Sequence, residues 1–281
     1  MFIKEHQKQF SVSMMCNLFG VSRSGYYGWL HHKPGKRAIA NHELDQQIEA
    51  VFKRHKSRYG SPRITKTLKT KQISCSHTRV ARRMKIMNLR AVAKKKFKVT
   101  TDSAHNQTVF QNILNRDFIT TGMNQKWASD ITYIRTEEGW IYLAVVIDLH
   151  SRAVIGWSMS SRMRKALVCS ALLMALSNQG FPAGVIVHSD RGSQYCSDRH
   201  KNILKHYKLI GSMSRKGNCW DNAIAESFFH TLKVELVHEN RYKTRDIAKQ
   251  SVFEYIETYY NKERLHSAIG YRTPFEVECD A

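Results

Sequence analysis

From Gln125 onward the apolar residues alternate instead of recurring at helical spacing, and this change of period constrains the fold more than any other feature of the chain. Three segments, Trp127 to Ile134, Trp140 to Asp148 and Ala153 to Met159, read as β-strands joined by short turns at Glu138-Gly139 and Ser151-Arg152. Next comes a helix from about Lys165 to Asn178, with Leu167, Leu172, Leu173 and Leu176 for packing and Gly180 beyond its end as a stop. Val185-Ile-Val-His reads as a short buried strand running into Ser189-Asp190-Arg191-Gly192. A helix near Asp198 to Tyr207, a strand near Ile210 to Ser214 and a long helix from about Asp221 complete the unit. The expected fold is therefore α/β: three antiparallel strands, a helix, then parallel additions, giving a mixed five-stranded sheet flanked by helices.

The chain upstream has a different character. Residues 1–120 hold 24 Lys/Arg against 6 Asp/Glu, a net of +18, while residues 121–281 hold 21 against 17, a net of +4. Charge of one sign on that scale is tolerated where a polyanion is the partner, and nucleic acid is the first candidate. Residues 1–35 read as a helix-turn-helix-like segment, with Met14, Met15, Leu18 and Phe19 before a Gly20 turn and Ser22 capping a second short helix. Arg23 and Tyr26 on that helix are candidate DNA contacts, although an ordinary helical hairpin would look the same. Residues 43–92 read as a second basic unit. A helix from about Glu43 to Lys56 carries Leu44, Ile48, Val51 and Phe52 on one face, Ser61-Pro62 opens another, and Ser76 caps a third. Arg63, Arg79, Arg82 and Arg83 are its candidate phosphate contacts, with a plain solvated charge run as the alternative. Lys94-Lys95-Lys96 and the polar stretch Thr100 to Thr108 mark residues 93–119 as a linker, so the main unit is placed at 120–281, ending in a helical extension.

Several classes of function fall away. The longest apolar run, Ile141 to Ile147, is far short of the roughly 20 residues that span a bilayer, and Met1-Phe-Ile-Lys-Glu-His has no signal-peptide core, so a cytoplasmic, nucleoid-associated chain without a membrane partner is expected. Six cysteines form no C-x-x-C pair and the fourteen histidines are scattered, so reduced thiols and no zinc are expected.

Three acids stand out. Asp130 lies between apolar neighbours in a strand, where an ionised carboxylate costs several kcal/mol unless a partner, such as a metal ion, offsets it. Asp190 ends a buried strand beside Gly192, where open α/β sheets usually place ligands; a turn Asp is the bland alternative. At 100 degrees per residue, Glu226 shares a polar helix face with Asn222 and Lys233, opposite Ile224, Ala225, Phe228, Leu232 and Leu236. Asp148, at the end of a central strand, is assigned a structural or outer role. Carboxylates bridging two divalent ions roughly 4 Å apart suit in-line phosphoryl displacement, and such hard oxygen ligands suit Mg2+, with Mn2+ as a substitute.

Trp127-Ala-Ser-Asp-Ile-Thr-Tyr-Ile, His188-Ser-Asp-Arg-Gly-Ser-Gln-Tyr and Asp221-Asn-Ala-Ile-Ala-Glu-Ser-Phe-Phe-His-Thr-Leu-Lys resemble the catalytic blocks of the IS-three group of insertion-sequence transposases. That group has a ribonuclease-H-like, retroviral-integrase-like core with an Asp-Asp-Glu triad. Thirty-five residues separate Asp190 from Glu226, as in that class, and Tyr260 to Pro274 is similar to its closing block. The resemblance implies that Asp130, Asp190 and Glu226 are catalytic metal ligands for two Mg2+ ions and that Lys233, seven residues after Glu226, contacts DNA. Arg191, Asn222 and His188 are flanking DNA-binding candidates. It also implies action on terminal inverted repeats and target DNA, at least a dimer on DNA, and an upstream-frame product as fusion or partner. The expected activity is DNA cleavage and strand transfer, with a structure-specific nuclease of the same fold or a DNA-binding regulator of transposition as the alternatives.

Overall fold

The computed structural model describes residues 2–92, 109–215 and 219–280. Lys94-Lys95-Lys96 and Thr100 to Thr108, read above as linker, lie outside the described residues. The helices are α1 (Phe2–His6), α2 (Val12–Leu18), α3 (Arg23–Leu30), α4 (Lys36–Arg54), α5 (Ser61–Thr70), α6 (His77–Ile86), α7 (Lys165–Asn178), α8 (Asp198–His206), α9 (Ala223–Glu235), α10 (Arg245–Glu254) and α11 (Pro274–Cys279). The strands are β1 (Lys126–Thr136), β2 (Gly139–Asp148), β3 (Val154–Ser160), β4 (Ile186–Ser189) and β5 (Ile210–Met213).

Local chemistry sets many of the ends. Ser11, Ser22 and Ser76 each accept a backbone N–H at a helix start, and Gly20 and Gly180 take the positive φ that L side chains avoid. Two boundaries differ from expectation. α4 begins at Lys36 directly after Gly35, because nothing between Pro34 and Glu43 breaks a helix, and Gly60, not Ser61, caps α5. In the α1–α3 segment only Met15, Cys16 and Tyr26 are buried, and Phe2, Phe19 and Trp29 are about half exposed.

The sheet order is β3-β2-β1-β4-β5, with β1–β2 and β2–β3 antiparallel and β1–β4 and β4–β5 parallel. Alternation along β2 divides the core between two faces. Ile141, Leu143, Val145 and Ile147 pack with Phe228, Leu232 and Ile256, while Ala144 and Val146 pack with Leu167, Val168, Leu172 and Leu176 of α7. The sheet thus lies between α7 and α8 on one side and α9, α10 and a π-helical continuation, Tyr255–Tyr260, on the other. At Gly156 an added Cβ would stand 2.3 Å from the Ala171 carbonyl oxygen, so α7 rests on the β3 backbone itself. Residues 109–119, expected as linker, are held on this unit: the Ile113 and Leu114 amides donate to Ser212 Oγ and Leu114 is buried in the α9-side core. Around Leu44, Ile48, Tyr59, Ile64, Leu68 and Val80, helices α4–α6 build a separate core.

Candidate metal-dependent DNA-processing site

The β1–β4 register brings two acids together. Lys126, Trp127 and Ala128 pair with Ile186, Val187 and His188, and the same register continued past β4 sets Asp190 level with Asp130. Asp130 falls in phase with Ala128 and Ile134, on the α9 side of the sheet. Burial, followed by the charges of Asp190 and Glu226, pushes the Asp130 carboxyl well above the usual carboxylate range. The Ile131 amide donating to Asp130 Oδ1 at 2.8 Å and the Lys233 ammonium act in the opposite direction. Glu226 stands exposed in the first turn of α9, and partial burial of its carboxyl raises its pKa as well. Lys233 is buried, contrary to the polar face expected for it. The second half of α9 sinks into the core, so its ammonium lies 5.0 Å from the Tyr133 ring centroid and desolvation lowers its pKa.

The turn that follows β4 is built around Asp190. The Gly192 amide donates to Asp190 Oδ1 at 2.9 Å, and a Cβ at Gly192 would approach that oxygen to 3.0 Å. Arg191 Nε donates to the Ser214 carbonyl oxygen at 2.7 Å. Tyr195 anchors the turn from beneath, its hydroxyl 3.0 Å from Ser129 Oγ, one residue before Asp130. Burial and the charges of Asp130 and Asp190 keep that phenol protonated. Tyr195 lay within the block quoted above without a role, and an isolated Tyr carries no signal of such a contact.

Several sequence-derived DNA contacts are buried or hydrogen-bonded within the fold. His188 is fully buried, with Nδ1 2.9 Å from Ser212 Oγ and Nε2 3.1 Å from Ser214 Oγ. Because Ser212 Oγ already accepts two amides, its proton goes to Nδ1 and Nε2–H donates onward. Burial lowers this imidazole to about 4, so it is neutral at pH 7. Asn222 is buried and donates from Nδ2 to the Ser129 carbonyl oxygen at 3.2 Å, tying the start of α9 to β1. Tyr26 is buried within α1–α3. Arg63 Nε donates to the Leu265 carbonyl oxygen, Arg79 donates to Asn41 Oδ1 and the Ala40 carbonyl, and Arg83 pairs with Asp45. Each of these guanidiniums uses part of its donor set within the fold, which a charge count does not register. Arg23 and Arg82 are exposed.

Two further acids hold the frame. Asp148 accepts from the Asn124, His150 and Ser151 amides and so closes the β2–β3 turn, as expected for a structural acid. Asp221 is fully buried in a 3-10 turn, Cys219–Asn222, and accepts from Asn112 Nδ2, Arg116 Nε and the Arg215 amide and side chain. These donors hold its carboxyl below the usual range despite the opposing effect of burial. Asn112 and Arg116 are remote in sequence and Arg215 is six residues away, and no local pattern announced the set. Among the described residues no three His, Cys, Asp or Glu side chains are drawn together closely enough to hold an ion, and no helix is long and apolar enough to cross a membrane.

Known proteins give a consistent picture. An integrase core domain model matches residues 120–219, a second integrase core domain model matches 226–278, and an HTH-like domain model matches 39–97. The chain is 48% identical to the Escherichia coli K12 protein named transposase InsF for insertion sequence IS3A, across 99% of this chain and 97% of that one. It is 45% identical to an uncharacterized 31 kDa protein of insertion element IS600 from Shigella sonnei, across 92% and 96% of the two chains. A solved HTLV-2 integrase catalytic core domain in complex with magnesium covers 57% of this chain and 99% of its own at 19% identity and TM-score 0.44, a likeness too slight to argue from.

Proposed function

The chain belongs to the family of IS3 insertion-sequence transposases, and on that premise we propose that Asp130, Asp190 and Glu226 are the acids that hold divalent metal for cleavage and strand transfer at the ends of an insertion sequence. The observation that carries this reading is the β1–β4 register, which sets Asp130 level with Asp190, with Glu226 in the first turn of α9 as a third carboxylate. Such a site favours a cation as counter-charge, and its all-oxygen donor set suits Mg2+ or Mn2+. Holding an ion together with the two aspartates would require the exposed Glu226 side chain, in the first turn of α9, to turn toward them. When bound, two ions would supply Lewis acidity to the attacking and leaving oxygens of a phosphodiester.

The chain's own groups do the remainder. Asn222 and the Asp221 clamp fix where α9 starts relative to β1, and so how far Glu226 reaches. Tyr195 and Gly192 hold Asp190 at the end of β4. Lys233 and Arg191 provide positive charge for the DNA backbone beside the acids, while Arg23 and Arg82 do so at a distance. Two ends can be joined only by at least two protomers, and we take an upstream-frame product to act with this chain.

The test is strand transfer of a labelled duplex carrying the element's end, with Mg2+ or with EDTA, by the chain and its Glu226→Gln variant. Joined products that need the metal and vanish in the variant are expected. Cleavage without joining would indicate a nuclease instead, and binding with neither product a regulator.

A further inference from the structure

A cavity of about 600 Å3 opens beside α9, away from the acids. Ser227 and Thr231 line it, at about 100 and 140 degrees round the helix from Glu226. The other walls bring guanidiniums from three directions: Arg58 and Arg63 from the α4–α6 unit, Arg152 from the β2–β3 turn and Arg264 from the segment after the π-helix. Glu235 is the one carboxylate among the described lining residues. It takes Arg264 at 2.8 Å and lies 3.7 Å from Arg63, which leaves four guanidiniums against one acid.

The arginines are held in place. Arg58 lies over the Tyr259 ring at 4.5 Å and donates from Nε to the Glu235 carbonyl oxygen, and Arg63 donates from Nε to the Leu265 carbonyl oxygen. Their terminal nitrogens are thereby aimed without rotamer entropy still to be lost. Arg152 Nε is buried without a hydrogen-bond partner. His266, also in the wall, is driven down to about 2 by burial and then by Arg264 and Arg63, so it adds no charge of its own at neutral pH. Net positive charge in a half-enclosed space calls for an anion, and rigid guanidinium forks match phosphate oxygens.

We propose that this cavity is a phosphate-binding site that takes a phosphodiester of the bound DNA backbone, clamping the strand between the α4–α6 unit and the helix that carries Glu226. The proposal rests on the reading that the chain binds DNA. The same oxygens could come from free phosphate, and the two sources are separable.

The full chain, Thr231→Glu, Thr231→Gln and Arg152→Gln would be compared for binding of a fluorescent duplex over a range of KCl concentrations in EDTA, each variant first shown by its melting curve to be folded. Thr231→Glu places a carboxylate in the cavity and Thr231→Gln adds similar bulk without charge. Loss of one phosphate contact lowers the slope of log K against log salt by about one. That loss, with roughly tenfold weaker binding, is expected for Thr231→Glu and Arg152→Gln but not for Thr231→Gln. Unchanged slopes in folded variants, with wild-type binding intact, would overturn the cavity proposal and leave the transposase reading standing. Stabilisation by inorganic phosphate that Arg152→Gln abolishes, with duplex slopes unchanged, would assign the site to free phosphate and overturn the DNA contact. Failure of the unsubstituted chain to bind duplex would overturn the reading that this chain grips DNA by itself, and the cavity proposal with it.

Discussion

Asp130 is partly buried and Asp221 fully buried, and their pKa values move in opposite directions because their neighbours differ. Asp221 is ringed by donors, so its folded value is depressed; it stabilises the fold above the ordinary carboxylate pKa and that contribution fades as pH falls toward the folded value. Asp130 is desolvated and faces two like charges, so its folded value is raised, and stability is greatest below the unfolded pKa and is lost as pH rises through the folded one. In EDTA at neutral pH, Asp130→Asn is therefore expected to raise the melting temperature, by about 2–4 °C for each kcal/mol of strain relieved, while strand transfer is lost. Mg2+ should then stabilise the unsubstituted chain and leave the variant unmoved. A variant that melts lower than its parent in EDTA would contradict the assignment of Asp130 as an acid held at a cost for function. Asp130 could be found from sequence because an acid inside an apolar strand breaks a local rule. Asp221 and Tyr195 break none, and their significance appears only once residues about a hundred and 66 positions away reach them.

Among the elements, the strands were the most legible, since alternation, tight turns and a Gly after α7 are local signals, and β1, β2 and β3 fall where the period placed them to within a few residues. α9 was legible in part. Its helical wheel put Glu226 on a polar face, which is exposed as found, and Lys233 beside it on that face, whereas tertiary packing of the second half of the helix covers the lysine side chain. The π-helical turn Tyr255–Tyr260 left no readable mark, because its widened ladder is imposed by the packing of Tyr255 and Ile256 against the sheet. Gly156 was equally silent: a glycine in a strand can signify a bulge or a close approach, and here it is the approach of α7. Gly156→Ala must push α7 off β3, since the new methyl would meet backbone atoms that cannot rotate away. A loss of about 3 kcal/mol is expected in urea unfolding, with α7 amides exchanging faster. A variant as stable as the parent would mean that α7 is free to slide.

Across the whole molecule the charge partition between the two halves anticipated a basic helical unit set against a near-neutral catalytic one, but it gave no hint of how the two are fastened. The fastening is specific. Tyr59, buried at the end of the α4–α5 connection, donates to the Glu263 carbonyl oxygen at 3.0 Å and accepts from the Leu265 amide at 2.9 Å. Beside it, Arg58 and Arg63 reach Glu235 at the end of α9, which in turn accepts from Tyr255 and Arg264. One phenol thus satisfies a donor and an acceptor of the closing segment next to the helix that bears Glu226, so the basic α4–α6 unit and the acids should behave as one cooperative body. Tyr59→Phe keeps the ring and its stack on His55, 3.8 Å between centroids, yet leaves the Glu263 carbonyl and the Leu265 amide unpaired. The expected cost is about 2 kcal/mol, and it should fall on the junction: calorimetry would resolve an early transition of the α4–α6 unit from the later one of the sheet, and Leu265 would lose protection from hydrogen exchange. A single transition with Leu265 exchange unchanged would show that the arginines around Glu235 hold the two units together without the tyrosine.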